Sequence, residues 1–300
     1  MTTANQLIKD QKEREAAEAV TATEPKIDLA EWLQRPIDVS IIVPIITDTK
    51  ELVEMTLKCI AAIANTTRQN KIELIIVDNG SKLPAYFRPD IHLRNPINIG
   101  YGPAINQGIK LSHGKYIVAM NNDVFAEEGW LDPLIRTLEE DPMIGVVRPI
   151  AVGESAYGAE NAKRKFGEPS LIIDQKDFHG FCYLLKRETL DNLLEDGHYF
   201  DEQYAPAYCE DMDMWVRLTK AGYKMARNTD SKVQHLGGAT SGAIAQKGEV
   251  DLNANRIKFF KKHGFDVFTE DWYTGWQELQ NRFGSITKLL EAKPDEQPAA

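Results

Sequence analysis

Residues 39–81 read VSIIVPIITDTKELVEMTLKCIAAIANTTRQNKIELIIVDNGS, and this stretch decides the fold class. Val39 to Val43 is a β-branched run suited to a strand buried on both faces of a parallel sheet, and Pro44 is expected to stop it. From Glu51 to Ala64, apolar residues recur at helical spacing: Leu52, Met55, Cys59, Ile60 and Ile63. Glu73 to Val77 is a second strand, running into the turn signal Asp78-Asn79-Gly80-Ser81. Strand, helix and strand together make a βαβ unit.

Outward from there the alternation continues. Strands are expected at 91–94, 116–120, 144–150 and 181–186, and helices at 102–112, 130–140 and 211–221. Residues 151–178 show no period and read as a loop excursion. Two further strand pieces, 224–227 and 232–235, precede a Gly/Ala-rich stretch over 237–245. Helices are then expected at 252–263 and 272–290. Residues 1–24 are polar, and Pro36 closes a short lead-in. The chain therefore divides into a polar N-terminal extension (1–36), an α/β catalytic domain with a mostly parallel sheet (37–245) and a C-terminal helical segment (246–300).

Composition narrows the functional classes. The chain has 300 residues, with 45 acidic and 35 basic side chains and a formal charge of −10. That balance disfavours passive binding to nucleic acid or an anionic membrane. Cys59, Cys182 and Cys209 are isolated and lack zinc-site spacing, so they read as buried reduced thiols. The longest apolar runs fall far short of the ~20 residues of a membrane span. A soluble, cytoplasmic protein is expected.

In an open parallel sheet, ligands bind beyond the carboxyl ends of the strands. Three polar clusters stand at such ends: Pro44 to Asp48, Asp78 to Ser81, and Asn121-Asn122-Asp123. No G-x-G-x-x-G follows the first strand, and there is neither a phosphate loop nor a G-x-S-x-G elbow. Nicotinamide enzymes, P-loop NTPases and the common hydrolases lose their main support. A diphosphate bound without a phosphate loop needs a divalent cation held by carboxylate oxygen, and Asp123 is a natural ligand. Glu210 and Asp211 open a helix, where a carboxylate can serve as general base. Asp213 and Arg217 share a face of that helix and are expected to form a surface pair. His235 ends a strand before Gly237-Gly238 and is a candidate nitrogen ligand; His179 is a weaker one.

These motifs, in this order, resemble the inverting glycosyltransferases of family 2 with the GT-A fold, over residues 38–262. Val39 to Pro44 is similar to that family's first strand, and Val77 to Ser81 to its nucleotide-binding turn. The segment Asn95-x-x-Asn98-x-Gly100-Tyr101-Gly102-x-Ala104-x-Asn106-x-Gly108 resembles rhamnosyltransferase-like members. Asn121-Asn122-Asp123 stands where the family carries its DxD motif. Glu210-Asp211-x-Asp213-x-Trp215-x-Arg217 looks like its acceptor-side helix, and His235-x-Gly237-Gly238 like the histidine that completes the metal site.

The resemblance implies that Asp78 binds the nucleotide base, with Pro44, Asn98, Gly100, Asn106, Asn121 and Asn122 also on the donor side. It implies that Asp123 and His235 hold Mn²⁺ or Mg²⁺, with Asn121 in place of the first DxD acid. Asp211 is the implied catalytic base and Glu210 the alternative. Ile105 departs from the pattern, standing where many members have arginine. The implied activity is that of a hexosyl- or pentosyltransferase using a nucleotide-sugar donor, with inversion. The default acceptor is a glycan or lipid-linked saccharide, and modified DNA or a protein is the alternative. Two rivals remain: a nucleotidyltransferase, which needs a basic Gly-rich loop where Ile45 to Thr49 stands, and a non-catalytic nucleotide- or sugar-binding module.

Overall fold

The computed structural model describes residues 36–67, 71–152, 171–173, 180–237 and 252–263. The polar segment 1–24, the stretch from Gly238 to Ala245, His179 and the helix expected over 272–290 lie outside the described residues.

The opening unit is β1 (Val39–Ile45), α1 (Lys50–Thr66), β2 (Ile72–Asn79) and β3 (Ile91–Asn95). Alternation along the strands distributes side chains to two hydrophobic clusters. Val39, Ile41, Val43, Leu74 and Ile76 join one, with Cys59 and Ile63 of α1; Ile42, Ile75 and Val77 join the other. Each fully buried isoleucine contributes roughly 1.5–3 kcal/mol relative to exposure. Thr49 caps α1, its hydroxyl accepting the Leu52 N–H at 3.3 Å. The first strand does not stop at Pro44 but runs through it to Ile45, pairing Pro44 with Val77. On the other flank, pairing with β4 ends at Ile42, so the missing N–H costs no ladder bond there.

Then come α2 (Tyr101–Leu111), β4 (Tyr116–Met120), β5 (Val124–Ala126), α3 (Leu131–Glu140) and β6 (Ile144–Val152). After them stand β7 (Leu171–Ile173), β8 (Cys182–Lys186), α4 (Arg187–Asn192), a 3₁₀ turn (Glu202–Tyr204), α5 (Glu210–Lys220), β9 (Lys224–His235) and α6 (Leu252–His263). The strands form one sheet in the order β3-β2-β1-β4-β8-β6-β9-β5, with β7 also on β9. The β3-β2-β1-β4 half is parallel, whereas β4-β8, β8-β6 and β9-β5 pair antiparallel.

Four elements depart from the sequence expectation. β5, β7 and α4 are short additions; β7 falls inside the stretch expected to be loop. The two strand pieces around 228–231 are one strand, β9. Its pairing with β6 slips from Pro149↔Asn228 to Ile150↔Lys232, a bulge that absorbs the turn-like residues. Side chains anchor that bulge to α3: Asn228 Nδ2 donates to Thr137 Oγ1 at 2.9 Å and Ser231 Oγ to Trp130 O at 2.5 Å. Among the described residues, no helix is long and apolar enough to cross a membrane.

Candidate active site

β1 lies between β2 and β4, so the crevice falls at the carboxyl ends of these three strands. On the β2 side, Asp78 is buried. Its Oδ1 accepts the Ser81 N–H at 2.9 Å and its Oδ2 accepts Arg94 Nη1 at 2.5 Å. Arg94 Nη2 also donates to Ser81 O at 2.6 Å, which fixes the turn. Arg94 was not singled out from the sequence. It faces Asp78 only because β3 pairs with β2 in the register Asp78↔Arg94.

The remaining donor-side candidates divide by what their side chains touch. Asn98 Oδ1 accepts the Gly100 N–H at 2.9 Å, an Asx turn that starts α2. Gly100 has φ +100° and would bring a Cβ to 3.0 Å from Ala205 and Pro206, so a side chain there meets both strain and a clash. Asn106 is fully engaged in joining α2 to the segment around Phe200 and Glu202. It donates to Phe200 O at 2.7 Å and Glu202 Oε1 at 2.9 Å, and accepts the Phe200 N–H at 2.8 Å. Asn122 donates to Thr56 Oγ1 of α1 at 3.0 Å. Pro44 and Asn121 are half-buried.

Beyond β4, the Asn121 N–H donates to Phe181 O at 2.8 Å. The chain then turns so that Asp123 meets the end of β9, where Val124 pairs with His235. Asp123 Oδ1 lies 3.5 Å from His235 Nε2. Asp123 is 3 % exposed and His235 8 % exposed. Asp123 Oδ1 and both His235 nitrogens are buried without a hydrogen-bond partner. The imidazole is held by stacking instead: the Phe181 ring lies 4.5 Å away at 18°. One carboxylate oxygen and two ring nitrogens without partners are costly in a protein interior unless something binds them. This is an oxygen and nitrogen donor set that a divalent cation fits.

The thiols take no part. Burial, and then the Asp123 charge, push Cys59 up to about 12. All three cysteines are free and buried.

α5 supplies the third component. It begins after Tyr208 and Cys209, whose φ values of 76° and 77° turn the chain sharply into the helix. Asp211 Oδ1 accepts the Met212 N–H at 2.8 Å, and Oδ2 accepts the Gly180 N–H at 3.2 Å. A Cβ on Gly180 would sit 2.7 Å from Asp211 Oδ2, so this close approach requires glycine. Gly180 and Phe181 thus connect the candidate base to the Asp123–His235 pair, and neither carries a motif that sequence reading could find.

Asp213 corrects an expectation. Its pair with Arg217 is buried, with side-chain exposures of 0 % and 9 % and a 2.8 Å contact. Its Oδ1 also meets His263 Nε2 and Lys262 Nζ of α6, each at 2.9 Å. Lys262 Nζ further contacts Glu195 at 2.7 Å and Asp201 at 2.8 Å. Glu195, Asp201 and Asp213 could geometrically hold a metal ion. The Lys262 ammonium already sits among these carboxylates, and Glu195 and Asp201 line a cavity of about 450 Å³ that includes none of the candidate site residues. The network serves to clamp the helix that bears Asp211 onto α6.

Comparison with known proteins bears on the family and the fold. Residues 40–194 match the family described as Glycosyl transferase family 2. A Haemophilus influenzae protein named only as an uncharacterized glycosyltransferase is 24% identical over 234 residues, 69% of this chain and 71% of that protein. The crystal structure of GalNAc-T7 with UDP, GalNAc and Mn²⁺ superposes with a TM-score of 0.56 at 13% identity. That match covers 84% of this chain, which spans 55% of the GalNAc-T7 chain. The S. aureus TarS 1-349 structure gives a TM-score of 0.49 at 14% identity, covering 74% of this chain and 66% of that one. The sheet order with its crevice at the β1/β2/β4 ends is thus the GT-A arrangement, and the chain belongs to glycosyl transferase family 2.

Proposed function

We propose that this protein transfers a hexose or pentose from a nucleoside-diphosphate sugar to an acceptor hydroxyl, with inversion at the anomeric carbon. The observation that carries this reading is the juxtaposition of buried, unpartnered Asp123 Oδ1 with the two open nitrogens of His235 at the mouth of the sheet. Asp123 and His235 would hold a divalent cation. Carboxylate with imidazole suits Mn²⁺ somewhat better than Mg²⁺, which prefers oxygen alone. When bound, such an ion supplies Lewis-acid neutralisation of the diphosphate.

The other steps fall to the chain's own residues. The Asp78 turn, pinned by Arg94, and the Asn98–Gly100 turn shape the donor side. Asp211, held by the Gly180 N–H, removes the acceptor proton as that oxygen attacks the face opposite the leaving diphosphate. The N–H groups of Gly180 and Met212 fix the orientation of the Asp211 carboxyl toward that step. A glycan or lipid-linked saccharide is the acceptor class we propose, by family resemblance.

The test is a panel of UDP-, GDP- and dTDP-sugars incubated with saccharide acceptors and read by mass spectrometry, with Mn²⁺ or with EDTA. Transfer from one donor that EDTA abolishes is expected. Transfer undiminished by EDTA would remove the proposed role of Asp123 and His235.

A further inference from the structure

The first turn of α5 carries three carboxylic acids, Glu210, Asp211 and Asp213, and they are not compensated alike. Asp213 has Arg217, Lys262 and His263 around it. Asp211 has the N–H groups of Gly180 and Met212. Glu210 Oε2 is buried and has no hydrogen-bond partner.

The surroundings of Glu210 are apolar or weakly acidic. Its Cβ lies 3.8 Å from where a Cβ on Gly102 of α2 would stand. Tyr101 of α2, half-buried with its hydroxyl inside, and the buried Tyr183 of β8 both sense its charge. Cys182 of β8 is buried next to Tyr101, and Cys209 precedes Glu210 in the chain. Arg256 of α6 lies on the Cys209 side, and the charge that acts most strongly on Glu210 is that of Asp211. Both carboxyls have backbone N–H donors, but both Asp211 oxygens are bonded whereas Glu210 leaves one oxygen buried without a partner. Two adjacent carboxyls cannot both ionise cheaply.

We infer that Glu210 is a positioning residue, standing beside Asp211 as a neutral carboxylic acid so that the pair carries one negative charge, located on Asp211. This rests on the proposed role of Asp211 as base and deepens it, because a carboxyl that keeps its proton cannot take the acceptor's. Burial, and then the Asp211 charge, push the Glu210 carboxyl from 4.5 up to about 8. The backbone N–H groups of Glu210 and Tyr208 pull the other way without cancelling this.

Between those two values, the folded protein holds a proton that the unfolded chain releases. Stability therefore falls as pH rises from about 4.5 to about 8, and this loss is complete above that range. Glu210→Gln removes the titration and keeps the shape. The experiment follows the full-length protein by infrared spectroscopy and thermal unfolding from pH 5 to pH 9. The expected result is a protonated-carboxyl carbonyl band in the wild-type protein that disappears near pH 8 and is missing from E210Q. The melting-temperature advantage of E210Q over wild type should also grow with pH. Should E210Q fold poorly, the wild-type band and its pH dependence still decide the matter. Absence of the band at pH 7 would overturn the inference, as would an E210Q advantage that does not change with pH. Neither readout depends on turnover, so failure of Asp211 as base, seen in a product assay, is a separate outcome.

Discussion

The backbone N–H of Gly180 donates to Asp211 Oδ2 at 3.2 Å, and the next side chain, Phe181, stacks on His235 at 4.5 Å. One dipeptide therefore sets the position of the proposed base and of a proposed metal ligand. A change at either residue should be felt at both.

Gly180→Ala tests the first half of that link. The added Cβ would lie 2.7 Å from Asp211 Oδ2 and 2.8 Å from its Cβ, so the carboxylate must move. Displacement by about an ångström can cost up to ~10²-fold in rate. Turnover should fall by one to two orders of magnitude while donor affinity, measured by calorimetry, stays near wild type. Unchanged turnover would mean that the Gly180 contact does not position the base.

The metal prediction concerns ligand-induced stabilisation. Saturation at a hundredfold over Kd adds about 2.7 kcal/mol, a rise of several degrees in Tm. Nucleoside diphosphate with Mn²⁺ should produce that rise in the wild type, and little of it with EDTA. Asp123→Asn and His235→Ala should both lose the metal-dependent part. Phe181→Leu should weaken it by releasing the imidazole from its stacked position. Equal shifts with Mn²⁺ and EDTA in the wild type would contradict the assignment.

Asp213 yields a prediction about acid stability. Burial alone would raise its pKa, but the His263 hydrogen bond and the Arg217 and Lys262 charges outweigh it and hold the carboxyl at about 2, below its ordinary 3.8. The stability it contributes is present above pH 3.8 and is lost as pH falls toward 2. Asp213→Asn breaks a buried charge network, at a cost of about 3–5 kcal/mol at neutral pH. Denaturant unfolding should show that loss at pH 7 and a smaller one near pH 2.5. A neutral effect at pH 7 would show that α6 does not clamp α5 through this residue.

Much of this was legible in the chain, and the reasons for what was not are physical. Val39 to Val43 and Glu73 to Val77 declare themselves because strands buried on both faces need continuous β-branched runs. The carboxyl ends of β2 and β4 then lead to Asp78 and Asp123 by the geometry of open sheets. β9 was hidden because Asn228 to Ser231 has turn chemistry, which the fold accommodates as a bulge satisfied by α3. β5 is three residues long, too short to show alternation. Asp213 looked like a surface acid because its partners Lys262 and His263 lie on a helix about fifty residues away, reached only through tertiary packing. Gly180 acts through a backbone N–H, which leaves no mark on the sequence.

The most direct measurement compares Asp211→Asn with Asp123→Asn in the same two assays, donor binding by calorimetry and product formation by mass spectrometry. Asp211→Asn keeps the shape but removes the proton-accepting charge, so turnover should fall by about 10²–10⁴-fold with donor affinity little changed. Asp123→Asn should weaken donor binding and its metal dependence together, and turnover with them. Near-normal turnover in Asp211→Asn, with the donor bound as in wild type, would contradict the assignment of Asp211 as the base.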